Sequence, residues 1–419
     1  MIKLIEKIEG EAQLRFDFKE GAVDFVDIEF LSTRGIETIL EGKPALDALV
    51  INPRVCGICG HAHLIATAKT LEACYDDLIV PKNAEVVREL TLNFELIQNH
   101  FKWFYLTILP LFGQNQHLLK ATRPTQLMAK AIATFGGQYP HTSYAVVGGV
   151  ASEPATMDIV KVRHYLNETI AFFAQSMIDT DARTLFACAD TETLLSMAGD
   201  LPDLLHLIKE KEWERIGGSY DRFIAFGENT LFTSGKSVST RLNFSVDPRY
   251  VTEFETPGTY AKNVVYKGKY YETGPLARAM INKIPLIRDA HRRYKDSIFS
   301  RITARTCEIL QLLDHSLGLL EQIDPSAPFY IEPPAPIETF TGSGTGAVEA
   351  ARGSLIHRVE LDHGTIIRYD IITPTQWNLS NGTREEPGVS QKAMLGLHDT
   401  ALAEIAFKSY DVCSVCTTH

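Results

Sequence analysis

The chain has 419 residues and a formal net charge of −11, from 41 Lys and Arg against 52 Asp and Glu. Such a balance repels phosphate backbones and so argues against a nucleic-acid partner. The hydrophobic fraction of 45% and the charged fraction of 22% are those of a folded globular protein rather than a disordered one. Charged residues interrupt the most apolar stretch, 94–112, so we expect no membrane-spanning segment and no signal peptide. The cytoplasm is the default location, and membrane association or export together with a partner protein is the alternative.

Alternating apolar and polar residues near the N-terminus predict a β-hairpin over about residues 10–32, with its turn at Glu20 and Gly21. Farther along, apolar side chains recur at steps of three and four, which is the spacing of one helix face. These stripes predict long helices over 81–109, 162–177 and 298–320, within a helical bundle that spans about residues 61–325.

The stretch 325–346 contains five prolines and three glycines, so we expect it to be irregular, as a linker or, preferably, as a loop packed over a site. A second hairpin with its turn at 362–364 and a last helix near 391–407 follow. The predicted fold class is α+β, mostly α, with a central bundle of long helices and flanking β-hairpins. We expect one domain, 1–419, whose C-terminal hairpin and terminal motif occupy about residues 342–419.

Four of the seven cysteines form two C-x-x-C pairs, Cys56 with Cys59 and Cys413 with Cys416. Two such pairs can supply four sulfur ligands to one soft metal ion. Considered alone, the pairs favour a zinc or iron ion that only stabilises the fold. A thioredoxin-like redox pair ranks lower, because neither pair lies in an evident βαβ unit.

The flanking residues favour a reactive centre over a structural metal. His63 lies one turn after the first pair, and Arg54 precedes that pair. The second pair is followed by His419, the last residue of the sequence. A purely structural metal rarely requires the last residue to be held in place, because chain ends normally fray.

A series of motifs from residue 9 to residue 419 resembles the large subunit of nickel-iron hydrogenases. The motifs are KIEGEAQL, RGIETIL, RVCGICGHAH, FGGQYPH, YETGPLAR, VEAARGSLIH, TPTQWN and DVCSVCTTH. The resemblance implies that family's fold and the reversible heterolytic cleavage of dihydrogen to protons and electrons. The alternatives are a hydrogen sensor with the same centre and low turnover, and a structural subunit like that of respiratory complex I, which lacks these cysteines.

The resemblance implies that Cys56 and Cys413 are terminal nickel ligands. It also implies that Cys59 and Cys416 bridge the nickel to an iron that carries carbon monoxide and two cyanides. Dihydrogen is a very weak acid, so its heterolysis needs an electrophilic metal and a base within reach. By the same resemblance, Cys413 is the expected base and Arg352 the alternative.

The family pattern assigns further roles. Glu9 is the expected proton relay, and a magnesium or similar divalent ion is expected on Glu37, the Ile371 carbonyl and His419. Histidine is not a favoured magnesium ligand, so the identity of that ion stays open. The expected contacts to the nickel-iron centre are His63, Ala350, Ala351, Arg352, Pro374 and Thr375. A C-terminal tail is usually removed after the final histidine, so we expect the sequence to be the mature form or to lack the tail.

Three departures from the family pattern concern the surroundings of the iron. Ala351 and Val412 stand where the family usually has proline. The family also has an aspartate in the long helix after the first cysteine pair, where this chain has Leu109, Pro110 and Leu111. That aspartate commonly pairs with the active-site arginine, so we expect the charge of the iron cyanides to neutralise Arg352 instead.

The two electrons from dihydrogen need an acceptor outside this chain. Cys74, Cys188 and Cys307 are too scattered to hold an iron-sulfur cluster and are expected to pack in the core. The resemblance therefore implies an obligate iron-sulfur small subunit. The run GSGTGA at 342–347 formally fits a dinucleotide fingerprint, but it follows a loop rather than a predicted strand, so we expect no nucleotide there.

Overall fold

The structure, a computed structural model, describes residues 1–5, 11–227, 229–232, 236–239 and 243–418. Its α-helices are α1 (Ile36–Leu40), α2 (Ala48–Ile51), α3 (Gly60–Glu72), α4 (Lys82–Lys102), α5 (Leu109–Leu111), α6 (Thr122–Gly136), α7 (Thr156–Ser176), α8 (Ala182–Ala187), α9 (Thr191–Leu195), α10 (Asp200–Glu210), α11 (Pro275–Ile281), α12 (Pro285–Tyr294), α13 (Ile298–Leu320), α14 (Pro374–Asn378), α15 (Val389–Met394) and α16 (Thr400–Lys408). Its strands are β1 (Ile2–Ile5), β2 (Ala12–Lys19), β3 (Ala22–Glu29), β4 (Ala145–Val146), β5 (Gly149–Val150), β6 (Arg222–Ala225), β7 (Lys236–Ser239), β8 (Asn243–Ser245), β9 (Val251–Phe254), β10 (Asn263–Tyr266), β11 (Gly342–Ala350), β12 (Gly353–Asp362) and β13 (Thr365–Ile372). The predicted class, mostly α with small antiparallel sheets, is confirmed.

The three long helices predicted from apolar periodicity are α4, α7 and α13. The end of the first one was predicted wrongly at Pro110. After α4 the chain widens into a π-helix over Trp103–Ile108 and continues into α5. Proline removes a backbone N–H donor, and Pro110 directly follows the π-helical stretch, where the hydrogen-bond pattern of the helix has already changed.

Both predicted hairpins are present, and each gains a third strand. The N-terminal sheet has the order β1-β2-β3, in which Leu14 pairs with Ile28 and Phe16 with Val26, and these four side chains are buried. The C-terminal sheet has the order β11-β12-β13. The prediction that the chain is irregular up to residue 346 is therefore wrong, because β11 begins at Gly342.

Helix α3 explains why glycines occur in strand β11. A Cβ atom on Gly344 would lie 2.1 Å from the Thr70 carbonyl oxygen, and one on Gly346 would lie 2.6 Å from the Thr70 nitrogen. Glycine allows the strand backbone to touch the helix backbone. The GSGTGA run is thus a packing surface against α3 rather than a loop around phosphates.

The single helix predicted near 391–407 is wrong, since the structure has two helices there, α15 and α16. Gly396 has a φ of 77°, in the left-handed region that ends α15. The Asp399 side chain then accepts a hydrogen bond of 2.8 Å from the Ala401 nitrogen and caps the start of α16.

Two apolar clusters enclose the cysteines. The larger includes residues of α3, α4 and α13 and the inner face of the C-terminal sheet, whereas the smaller joins the N-terminal sheet to α15 and α16. The four cysteines of the C-x-x-C pairs form a separate buried cluster. Among the described residues, no helix is long and apolar enough to cross a membrane.

Replacing Gly346 with alanine should destabilise the protein by roughly 2–4 kcal/mol, because the new methyl group forces β11 away from α3. Chemical denaturation followed by circular dichroism measures the change. Gly318→Ala in α13 is the control: nothing lies within 4 Å of its Cβ position, so that variant should be neutral or more stable by up to about 1 kcal/mol. Equal stability of the two variants would contradict the close packing.

Candidate metal centre

The first cysteine pair lies in the turn that leads into α3. Cys59 is the N-cap residue of that helix. A Cβ atom on Gly60 would lie 2.2 Å from the Pro53 carbonyl oxygen, so the turn packs directly against the preceding chain. From α4, Asn99 Nδ2 donates a 2.8 Å hydrogen bond to the Ile58 carbonyl oxygen. Helix α4 therefore helps to fix the conformation of the C-x-x-C turn.

The second pair follows α16, with Cys416 ending a single 3₁₀ turn. Arg34, just before α1, joins the two pairs. Its Nη1 donates to the Arg54 carbonyl oxygen at 3.1 Å, and its Nη2 donates to the Val415 carbonyl oxygen at 2.9 Å and to that of Val55. Sequence analysis missed this residue, although it lies at the start of the RGIETIL motif.

The structure brings the four sulfur atoms together. The Sγ–Sγ distances are 3.6 Å for Cys56–Cys413, 3.3 Å for Cys59–Cys416 and 2.9 Å for Cys413–Cys416. All four atoms lie within 4.8 Å of one another, and all four residues are buried. In the part of the chain that the structure describes, no other group of three or more metal-binding side chains is as close together.

The buried thiols influence one another's ionisation. Hydrogen bonds from neighbouring cysteines and the charge of Arg352 overcome burial and hold the pKa of Cys56 well below its usual range. The neighbouring thiols raise the pKa of Cys59, and burial raises the pKa of Cys416. Several adjacent buried thiolates repel one another, so a soft metal cation is what allows all four to ionise.

Arg352 has a carboxylate partner that the sequence analysis did not identify. Its Nε donates to the Asp411 carbonyl oxygen at 2.9 Å, and its Nη2 donates to Asp411 Oδ1 at 3.2 Å. Arg305 Nη1 donates to the other carboxylate oxygen of Asp411 at 3.0 Å. Asp411 therefore neutralises Arg352 within the chain, in addition to any charge that iron-bound cyanides would bring. The sequence signal was the aspartate that opens the DVC motif.

A second buried ion-pair group supports the segment of Ala350 and Ala351. Arg278 Nη1 donates to the Ala350 carbonyl oxygen at 3.0 Å, and Arg305 Nη1 donates to that of Ala351 at 3.2 Å. Arg278 also pairs with Glu308 and Glu349. Burial would raise the pKa of Glu308, but the charge of Arg278 lowers it to about 2, so this carboxylate stays ionised.

Within the described ranges, two buried polar atoms of the predicted site have no hydrogen-bond partner. They are Arg352 Nη1 and Thr375 Oγ1. Thr375 lies next to Pro374 in the first turn of α14, whose capping residue is Thr373. His63 is buried on α3, and its Nδ1 lies 3.1 Å from Nε2 of His357. Buried polar atoms without partners are rare, so such a donor indicates an acceptor outside the described part of the chain.

The predicted divalent-ion site is described only in part. Glu37 Oε1 accepts a 2.8 Å hydrogen bond from the Ile371 nitrogen, and Glu37 Oε2 pairs with Lys262 Nζ. Burial would lower the pKa of Lys262, but the charges of Glu37 and Glu253 raise it. The predicted relay Glu9 and the predicted ligand His419 lie outside the described residues.

The three remaining cysteines are buried in the large apolar cluster, as predicted for core residues. They are Cys74, Cys188 and Cys307. Burial raises the pKa of Cys74 to about 11, so this thiol stays neutral at ordinary pH.

Comparisons with known proteins agree with this geometry. A family model described as nickel-dependent hydrogenase matches residues 34–109 and 228–419. The chain is 25% identical to sulfhydrogenase 1 subunit alpha of Pyrococcus furiosus, over 99% of this chain and 96% of the relative. It is 23% identical to sulfhydrogenase 2 subunit alpha of the same organism, over 99% and 97% of the two chains.

Solved structures show the same fold. The nickel-iron-selenium hydrogenase of D. vulgaris Hildenborough superposes with a TM-score of 0.85 at 21% sequence identity, and the match covers 100% of both chains. The nickel-iron-selenium hydrogenase of Desulfomicrobium baculatum gives a TM-score of 0.83 at 20% identity, again over 100% of both chains.

Replacing Asp411 with asparagine should lower the free energy of unfolding by about 3–5 kcal/mol, because two buried guanidinium groups lose their shared countercharge. Thermal unfolding measures the loss. The control is Asp17→Asn, which breaks an exposed ion pair with Arg384 and should cost at most about 1 kcal/mol. If both variants unfold at the same temperature, Asp411 does not carry the assigned charge balance.

Proposed function

Because this chain belongs to the nickel-dependent hydrogenase family, as a catalytic large subunit that acts on dihydrogen, we propose that its four cysteines hold a nickel-iron centre. The observation that carries the proposal is the convergence of four buried sulfur atoms within 4.8 Å. Thiolate sulfur is a soft donor suited to nickel and iron. In this proposal the thiolates of Cys56, Cys59, Cys413 and Cys416 would hold the centre.

The unpaired donors beside the sulfurs support carbon monoxide and cyanide as iron ligands. Cyanide is an anion, and burying an anion without hydrogen-bond donors is costly. Arg352 Nη1 and Thr375 Oγ1 are buried and have no hydrogen-bond partner among the described residues. We assign them as donors to the two cyanides, with Ala350, Ala351, Pro374 and His63 forming the surrounding wall.

When bound, a nickel-iron centre would supply an electrophilic metal for the cleavage of dihydrogen. The chain then has to accept the proton that heterolysis releases. Arg352 is a poor acceptor, because a guanidinium stays charged in proteins and this one donates hydrogen bonds to Asp411. The proposed base is therefore the Cys413 sulfur. The positive charge of Arg352 stabilises negative charge beside that sulfur.

We propose Glu9 as the relay that carries this proton away from Cys413. We also propose a divalent ion, magnesium or similar, at Glu37, the Ile371 carbonyl and His419. The three carboxylates Glu37, Glu253 and Asp370 act on Lys262 and make this corner acidic, which supports a cation there. In the described structure Lys262 bonds to Glu37, so the ion and the ammonium compete for one carboxylate.

The electrons leave through an iron-sulfur small subunit, with which the chain forms an obligate complex in this proposal. The relatives support it, because their names describe alpha subunits of hydrogenases. The described cysteines outside the C-x-x-C pairs are buried in the apolar core and belong to no group of three or more metal-binding side chains, so the described part of the chain offers no cluster site there.

The purified complex should contain nickel and iron and show infrared bands of iron-bound carbonyl and cyanide. It should also reduce an artificial dye with dihydrogen at an enzymatic rate. Cys416→Ser should remove the metals and the bands, since a hydroxyl is a hard donor, whereas Cys307→Ser, in the core, should keep them. An active complex that contains only zinc would refute the proposal, and very slow dye reduction would indicate a sensor.

Replacing Glu9 with glutamine should abolish or strongly reduce hydrogen-deuterium exchange with solvent, by roughly 10²–10⁴-fold, because the amide cannot carry a proton. Nickel and iron contents should be unchanged. Glu20→Gln, in the exposed turn between β2 and β3, serves as the control. Normal exchange in the Glu9 variant would remove this residue from the mechanism.

A further inference from the structure

A buried tryptophan lies against the charged groups that hold Arg352. Trp103 is the first residue of the π-helix that follows α4, and it is 2% exposed. π-Helical turns are rare and are found frequently at functional sites. The mechanism described so far gives Trp103 no role.

The first contact of Trp103 is with Arg305 on α13. The guanidinium carbon of Arg305 lies over the indole ring, 4.8 Å from its centroid. A guanidinium stays charged in proteins, and indole is the aromatic ring that attracts a cation most strongly to its face. Arg305 Nη1 also donates to the Ala351 carbonyl oxygen and to Asp411 Oδ2. The indole face therefore limits the positions that this guanidinium can take while it binds both acceptors.

The second contact of Trp103 is with the end of α16. Its Nε1 donates a 3.0 Å hydrogen bond to the carbonyl oxygen of Lys408, the last residue of that helix. The same oxygen accepts a 3.0 Å hydrogen bond from the backbone nitrogen of Asp411. One carbonyl group thus joins the indole to the turn that carries Asp411. Trp103 therefore supports both members of the ion pair between Arg305 and Asp411.

This ion pair controls how Arg352 faces the metal centre. The carbonyl oxygen and the carboxylate of Asp411 accept hydrogen bonds from Nε and Nη2 of Arg352. The remaining nitrogen, Nη1, is buried and has no hydrogen-bond partner among the described residues. In the proposed function it donates to a cyanide on the iron. Because a guanidinium is planar and rigid, any displacement of Asp411 would move this donor as well.

We propose that Trp103 is a positioning residue for the hydrogenase reaction. Through Arg305 and Asp411, it sets the position of Arg352 Nη1 beside the metal centre. No bond forms or breaks at Trp103, and no proton or electron passes through it. The inference rests on the proposed function, because it needs an iron ligand that accepts a hydrogen bond from Arg352.

A role in core packing alone is the alternative, since Trp103 belongs to the larger apolar cluster. Two variants separate the roles. Phenylalanine at this position keeps an aromatic face for Arg305 but loses the hydrogen bond to Lys408, whereas leucine loses both contacts. Loss of packing would lower stability only. Loss of positioning would also change the iron ligands and the rate of turnover.

The test compares Trp103→Phe and Trp103→Leu in the intact metal-loaded complex. Tyr105→Phe is the matched control, because Tyr105 is buried in the same π-helix and loses a 2.8 Å hydrogen bond to Asp200 Oδ2. The first readout is the position of the infrared cyanide bands, which depends on the hydrogen bonds that the cyanides accept. The bands should shift in Trp103→Leu, shift less in Trp103→Phe and stay in place in Tyr105→Phe.

The second readout is the kinetics of dye reduction. The kcat of Trp103→Leu should fall roughly 10- to 100-fold, because small displacements of positioned groups slow catalysis strongly. The KM for dihydrogen should change by less than about twofold, since the substrate itself is not contacted. Combining Trp103→Leu with Arg305→Lys should slow the enzyme by less than the product of the two single effects, because both residues act on Asp411.

The outcomes separate this inference from the proposed function. Suppose that both Trp103 variants unfold at a lower temperature, as Tyr105→Phe does, but keep the wild-type cyanide bands and kcat. The positioning role is then refuted, and the hydrogenase function stands. Independent effects of Trp103→Leu and Arg305→Lys would also refute it. If Trp103→Leu does not assemble, the bands of Trp103→Phe decide. A wild-type complex without nickel and cyanide bands would overturn the proposed function and this inference with it.

Discussion

The burial of four sulfur atoms from the two ends of the chain is the constraint on which the rest of the structure depends. Cys56 and Cys413 are 357 positions apart, so closing this loop costs chain entropy that only the complete fold can offset. Helix α4 holds the first pair through Asn99, and Arg34 ties the carbonyl groups of both pairs together. The centre is therefore a product of the whole fold rather than of a local metal-binding loop.

The charged groups near the sulfurs serve orientation more than stability. A buried ion pair rarely gains more than its desolvation costs, but removing one partner is strongly destabilising. Asp411 accepts from Nε and Nη2 of Arg352 and from Arg305, which fixes the plane of the Arg352 guanidinium and leaves Nη1 unpaired. The arrangement holds the Nη1 amino group of Arg352 in a defined position, and no described residue supplies an acceptor for it.

Apolar periodicity predicted the long helices because each buries one face in the core, which repeats every three to four residues. The same signal does not encode backbone contact between elements. Strand β11 was missed because its glycines look like a loop in sequence, although they form the surface on which α3 rests. The last helix was predicted as one because its apolar spacing continues across Gly396, whose left-handed backbone breaks it.

The cysteine pairs could be predicted from the sequence, because their spacing alone restricts their chemistry. The residues that support them could not be predicted, because they act through contacts between distant segments. Arg34 and Glu95 act on carbonyl and N–H groups of other segments, and no spacing rule links them to the cysteines. Asp411 is the first residue of the DVC motif, but the hydrogen bond that it accepts from Arg305 spans 106 positions of the sequence. Long-range polar pairing of this kind is visible only once the fold is known.

The departure at Val412 has a physical meaning beside Asp411. A residue before proline is pushed toward extended conformations. Asp411 instead has a φ of 62°, in the left-handed region, where aspartate is among the better tolerated side chains. Valine at the next position leaves that conformation open. In this conformation the carbonyl oxygen and the carboxylate of Asp411 both accept hydrogen bonds from Arg352.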